Sequence, residues 1–255
     1  MEPVYTPVIG AALLLFRSMG WDIRVRGAEH IPATGPAVVA TNHVGYLDFT
    51  FVGYGVREKG RMLRFLAKKE IFDHPVSGPL MRGMKHVPVD RFGKPTEAFR
   101  HAVDALRRGE MIGMFPEATI SRSFVPAAGK SGAARMAMDA SAPLIPGAVW
   151  GSQRILTKGR PKNFQRKVVI TVDFGAPIDY APGDDRTDVT KRLMASIETL
   201  VDNAARTYPQ QPAGPHDSWW LPAHLGGTAP TIEEADAMAA EERVARRARR
   251  EKDEP

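Results

Sequence analysis

The chain has 255 residues, 43% hydrophobic and 25% charged, which is enough to bury a large core within one domain. It contains no cysteine, and this excludes disulfides, thiolate metal sites and cysteine nucleophiles. A formal net charge of +6 suits an anionic partner, whether a phosphate ester, an anionic lipid headgroup or nucleic acid, and charge alone does not choose among them.

In chain order, residues 1–20 carry an apolar stretch from Val8 to Phe16. It is far shorter than the roughly 20 residues of a bilayer span, and it lacks the basic start and cleavage site of a secretory signal. With Arg17 at its end and Trp21 beyond, it reads as a helix lying in a membrane interface or packed on the protein's own core.

Residues 21–208 read as a single α/β domain with a largely parallel central sheet flanked by helices. "PAVVAT" predicts a buried strand, and "DFTFVGYGV" a helix after a turn. Further short apolar runs, "RMLRFLA", "HVPV", "MIGMF", "PLIPGAVW" and "KVVITVDF", predict more strands. Between them "TEAFRHAVDALRRG" places Phe99, Ala102, Val103 and Leu106 on one helical face, and "KSGAARMAMDAS" is a shorter helix. "DRTDVTKRLMASIETLVDNAARTYP" predicts one long amphipathic helix. Residues 209–255 form a Pro/Gly-rich connector and a charged tail, read as a solvated helix or a partly disordered segment and not as a binding arm. Within the connector, "SWWLP" is a second candidate for contact with a membrane interface.

"TNHVGYLDF" sets His43 and Asp48 five residues apart just past the first predicted strand. Neither a helix nor a strand brings side chains at that spacing together, so a turn must, and Gly45 is expected to supply an unusual backbone angle for it. A histidine held by an aspartate can act as a general base. There is no cysteine and no G-x-S-x-G elbow, so the natural target is a hydroxyl on the substrate itself. Lys68 and Lys69 follow the predicted strand "RMLRFLA" and Arg91 follows "HVPV"; with Lys85 at the same edge they could bind a phosphate on that substrate. No second histidine stands at metal-ligand spacing, and no metal is expected. Nucleic acid is not expected either, because the arginines of the tail are mixed with acids and lack interleaved aromatics.

Four blocks then resemble those of the glycerolipid acyltransferases, in the same order and spacing over roughly residues 20–180. "NHVGYLD" is similar to their N-H-x-x-x-x-D block, "FLAKKEIFDHPVSGPLMRGMKHVPVDR" to the second, "FPEATISRS" to the third and "PLIPGAVWG", with Pro146, to the fourth. The resemblance implies that His43 is the base and Asp48 its orienter. It implies that Arg91, with Lys85 and Lys68, binds the acceptor phosphate, and that Glu117 and Thr119 shape the acceptor site. It further implies direct attack on an acyl thioester, with acyl-CoA or an acyl carrier protein as co-substrate and no cofactor. The acceptor would be a lysophospholipid or a glycerol phosphate, met by a peripheral, monotopic enzyme at the cytoplasmic face of the membrane. The block "FPEAT" has Ala118 where the family has glycine and Ile120 where it often has arginine. The methyl group is expected to disfavour a positive backbone angle at 118, and Arg122 to replace the missing guanidinium. Two other readings fit the same residues: a transacylase using a phospholipid donor without thioester, and a membrane-binding protein without enzymatic activity.

Overall fold

The structure is a computed structural model that describes residues 4–89 and 95–253. Seven strands form one sheet: β1 (Asp22–Arg26), β2 (Ala37–Thr41), β3 (Leu63–Lys68), β4 (Val87–Val89), β5 (Met111–Met114), β6 (Leu144–Trp150) and β7 (Val169–Phe174). Their order across the sheet is β1-β7-β6-β2-β5-β3-β4. The five from β6 to β4 run parallel, whereas β7 is antiparallel to β6 and carries β1 alongside it. The α/β architecture with a mostly parallel sheet is therefore as the alternation of patterns predicts.

Strand β2 lies at the centre because "AVVAT" carries no charge and its one hydroxyl, that of Thr41, donates to the Asn42 carbonyl: all five of its residues are buried, as expected for a strand covered on both faces. Helix α1 (Tyr5–Met19), α2 (Asp48–Val56), the short α3 (Lys69–Asp73) and α4 (Ser77–Gly83), α5 (Pro95–Arg107), α6 (Gly132–Ala140) and α7 (Arg186–Arg206) flank the sheet. Helix α7 is started by Asp185, whose carboxylate accepts the amides of Thr187 and Asp188. It buries Val189, Leu193, Ile197 and Val201 at helical spacing. The predicted α5 face is also buried, with Ala102 and Leu106 fully enclosed.

The structure adds to the sequence reading or corrects it at three segments. Strand β1 is absent from the sequence reading, since "DIRVR" buries no residue fully; it is an edge strand held to β7 by a bidentate Arg26–Asp173 pair at 2.6 and 2.7 Å. "SWWLP" is not a membrane candidate: Trp220 is 1% exposed, with its ring against Tyr208 and under the Arg154 guanidinium, and Trp219 lies against Phe124 and Arg160. Of the two forms expected for the tail it takes the helical one, as α8 (Ile232–Asp253), and what was not expected is that Glu242 ties it down by pairing with Arg122 and, at 2.5 Å, with Lys158.

Helix α1 packs one face on the core and leaves another open. Tyr5 and Phe16 are buried, whereas Leu14 and Leu15 are 71% and 46% exposed. Between α1 and α2 lies an apolar crevice lined by Val8, Ile9, Ala12, Leu13, Phe49 and Gly53, among others. No helix among the described residues is long and apolar enough to cross a membrane.

Candidate active site

Chain direction across the sheet switches at β2, whose neighbours β5 and β6 come from later in the sequence. Ligand sites of open α/β sheets gather beyond the strand carboxyl ends at such a point. The loop 42–47 leaves β2 there. Asn42 extends the ladder with its side chain, accepting from the Val149 amide at 2.8 Å and donating to the Val149 carbonyl at 3.1 Å. His43 follows, and the chain then turns back so that Asp48 opens α2.

The turn brings the pair together. His43 Nδ1 lies 2.9 Å from Asp48 Oδ2, and the same oxygen accepts the Val44 and Gly45 amides at 2.7 and 2.8 Å. An oxygen already accepting two amides needs a donor from the ring, so Nδ1 carries the proton and Nε2 is left with its lone pair. Asp48 is fully buried, and its Oδ1 accepts the hydroxyl of Ser152. The imidazole plane is set by Phe115, stacked on it at 4.0 Å and 10°. The His43 side chain is 19% exposed, so a substrate can reach it.

Gly45 has a different role from the one expected. It does not have a positive φ. Its value is closeness: a Cβ there would lie 3.0 Å from Ser152 Oγ and 3.1 Å from both Asp48 Oδ1 and the Leu156 carbonyl.

Two further loops clamp loop 42–47. From the β5 side, Glu117 Oε1 accepts the His43 amide at 2.9 Å, and the Ser121 amide donates to the His43 carbonyl at 2.8 Å. From the β6 side, the Thr157 hydroxyl donates to the Val44 carbonyl at 2.6 Å, and the Tyr46 amide to that of Leu156 at 2.9 Å. Glu117 is buried, and its second oxygen accepts the Ala127 amide at 2.9 Å. Burial pushes its carboxyl up to about 7; the two amide bonds oppose the shift and the nearby Asp48 charge adds to it. Glu117 thus holds the backbone of the histidine, and its two oxygens are taken up by amides.

Ala118 does what its methyl group was expected to prevent: it adopts φ +58°. The clamping bonds on either side hold it there against the cost of a left-handed alanine. Thr119 is exposed at the surface of the same loop. Arg122 does not stand open for substrate, because its guanidinium is paired with Glu242 of α8. The hydroxyls of Ser121 and Ser123 both lie within reach of the Val125 carbonyl, at 2.8 and 3.5 Å, away from the imidazole.

Of the other basic residues, Lys68 ends β3 in register with Val89, Lys69 opens α3, and Lys85 sits at φ +56° ahead of β4. Asp90 and Arg91 lie outside the described residues. Pro146 and Trp150 belong to the buried strand β6 and act as core. Among the described residues no three His, Asp or Glu side chains group as a metal ion would need. Sequence reasoning missed Asn42, Phe115, Ser152 and Thr157. Of these, only Asn42 lay inside the quoted histidine block.

The family model for acyltransferases matches residues 22–150, just over half of the chain, and takes in the whole His43 loop, Glu117 and the strands that carry them. The chain belongs to the acyltransferase family. A 1-acyl-sn-glycerol-3-phosphate acyltransferase of Bacillus subtilis is 27% identical to this acyltransferase over 75% of the chain and 96% of its own length. One from Limnanthes douglasii is 28% identical over 83% of the chain and 72% of its own. Among solved structures, the 1-acyl-sn-glycerophosphate (LPA) acyltransferase PlsC from Thermotoga maritima shares the fold, with a TM-score of 0.63 at 20% identity, covering 76% of this chain and 77% of that one.

Proposed function

We propose that this acyltransferase moves a fatty acyl group from an acyl thioester, carried by CoA or an acyl carrier protein, to the hydroxyl of a lysophospholipid or glycerol-phosphate acceptor. The observation that carries the reading is the His43–Asp48 pair, with a free Nε2, at the end of an aromatic row leading to the apolar crevice. His43 stacks on Phe115, Phe115 lies 5.7 Å from Phe65, and Phe65 lies 6.0 Å from Phe49 at the crevice wall. An acyl chain in the crevice would point its thioester along this row towards the imidazole.

In the reaction, Nε2 takes the proton of the acceptor hydroxyl as its oxygen bonds to the thioester carbon. The tetrahedral adduct collapses, the carbon–sulfur bond breaks, and the imidazolium returns the proton to the departing thiolate. Asp48 keeps Nδ1 protonated and stabilises the positive ring in between. The products are an ester and a thiol, and no acyl-enzyme or metal takes part. Arg91, Lys85 and Lys68 are the groups assigned to the acceptor phosphate, a role supported by the relatives' names and by the resemblance of the second block. The test is transfer of a labelled acyl group by purified protein to a panel of lysophospholipids and glycerol phosphate. Equal transfer from a phospholipid with no thioester present would replace this reading by transacylation.

The crevice makes a prediction about chain length. Gly53 lines it, and a Cβ built there meets nothing within 4 Å. Gly53→Leu should fold, because leucine is the better helix former, and should fill the cavity. Long-chain thioesters are then expected to lose about 10-fold or more in kcat/KM while short ones are spared, on the scale of about 0.8 kcal/mol per displaced methylene. A uniform loss across chain lengths would place the acyl chain elsewhere.

Peripheral attachment to the cytoplasmic face of the membrane belongs to the same proposal, supported by the exposed leucines of α1 and the basic net charge. Leu14→Ser with Leu15→Ser is expected to release the protein from anionic vesicles in a sedimentation assay. Activity on detergent-dispersed substrate should persist. Undiminished vesicle binding would move the attachment off α1.

A further inference from the structure

We infer that Ser152 is a positioning residue for the transfer reaction, acting on His43 through Asp48; this rests on the reading of His43 as the base. Asp48 is fully buried, and three of its four hydrogen-bond donors approach Oδ2: the His43 ring, the Val44 amide and the Gly45 amide. Among the described residues Oδ1 accepts from a single group, the hydroxyl of Ser152, which lies 104 residues further along the chain and is itself fully buried. Without it, one oxygen of a water-excluded carboxylate would have no donor, and the carboxylate would be held from its Oδ2 side alone. A carboxylate pinned at one oxygen can tilt about it, which bends the Oδ2···H–Nδ1 contact and loosens the orientation that aims Nε2 at the acceptor hydroxyl.

The segment around Ser152 is built to hold that hydroxyl still. Gly151, at φ +92°, lies so close to β7 that a Cβ would come within 2.2 Å of the Val169 carbonyl, a position open to glycine alone. Its amide donates to Gln153 Oε1 at 2.8 Å, and Gln153 Nε2 donates to the carbonyl of the buried Trp220 at 3.3 Å. The carbonyl of Ser152 accepts the Ile155 amide at 3.0 Å. A closed set of bonds running to the Trp220 connector therefore fixes Ser152, and Ser152 fixes Asp48. The hydroxyl is also the nearest atom to the position a Cβ would take at Gly45, so the glycine and the serine fit one another.

The experiment is the kinetics of Ser152→Ala beside His43→Ala, with both substrates varied, together with the low-field proton resonance of His43 Nδ1–H. For Ser152→Ala, kcat is expected to fall about 10-fold, the scale of one hydrogen bond to a charged group. Both KM values should change less than about twofold, because the serine touches no substrate, and the resonance should shift or broaden. Ser152→Cys keeps an atom at the γ position but with only a weak donor, and should show the same loss even if the alanine variant folds poorly. Full kcat with an unmoved resonance in folded Ser152→Ala or Ser152→Cys, alongside an inactive His43→Ala, overturns the role of Ser152 alone. Full activity of His43→Ala overturns the assignment of the base, and the inference with it.

Discussion

His43→Ala is expected to slow acyl transfer at least about 10²-fold, the usual scale for removing a general base. The fold should survive, because the ring contributes one hydrogen bond through Nδ1, whereas the backbone of residue 43 keeps its bonds to Glu117 and Ser121 whatever side chain it carries. Circular dichroism and thermal unfolding alongside the transfer assay separate the two effects. Asp48→Asn should be as slow but less stable, since the new NH₂ group would meet donors converging on a buried site. A His43→Ala protein with near wild-type transfer would remove the mechanism.

The second large effect is on stability, and it comes from two buried groups with opposite pH dependence. Burial raises Glu117 from about 4.5 to about 7, so the stability it contributes is fully present below pH 4.5 and is lost as the pH rises through about 7. Burial, aided by the charge of Arg64, lowers His86 from 6.5 to about 4, so its contribution is present above pH 6.5 and is lost as the pH falls through about 4. Each shift spans about 2.5 units, or about 3 kcal/mol, and the two nearly offset between pH 4.5 and 6.5 in the wild type. Glu117→Gln should uncover the loss towards acid. His86→Asn, whose Oδ1 can still accept the Phe65 amide, should uncover the loss towards neutrality. Unfolding midpoints between pH 4.5 and 7.5 measure this, and parallel curves for all three proteins would sink it.

Much of this fold is legible in the sequence where one segment carries its own signal. "AVVAT" is apolar enough to be read as a central strand, and "DFTFVGYGV" matches α2 at both ends. Strand β1 is not legible in this way, since Arg26 is explained only by Asp173 of β7, 147 residues away, while Arg24 pairs with Asp22. The His43–Asp48 meeting could be read from the need for a turn, but the means could not. Gly45 serves by closeness to Ser152, and Ala118 reaches a glycine-like angle because loops on both sides hold it. Ser152 itself could not be found, because a serine after an apolar strand looks like a turn residue until the sheet brings it under Asp48.

The pairing of Glu242 with Arg122 and Lys158 has a consequence for how α8 is held. Over residues 232–245 the helix offers the body little apolar surface: Ile232, Met238 and Val244 are all exposed, and Ala235 and Ala239 are only partly covered. Over that stretch its attachment is therefore largely ionic and is sensitive to ionic strength. Salt at about 1 M shortens the screening length to about 3 Å, which weakens such a partly exposed three-charge contact while leaving the sheet untouched. Under those conditions the C-terminal helix should exchange its amides ahead of every element of the core. Arg122 and Lys158, next to the residues that clamp the His43 loop, would then be left without their counter-ion.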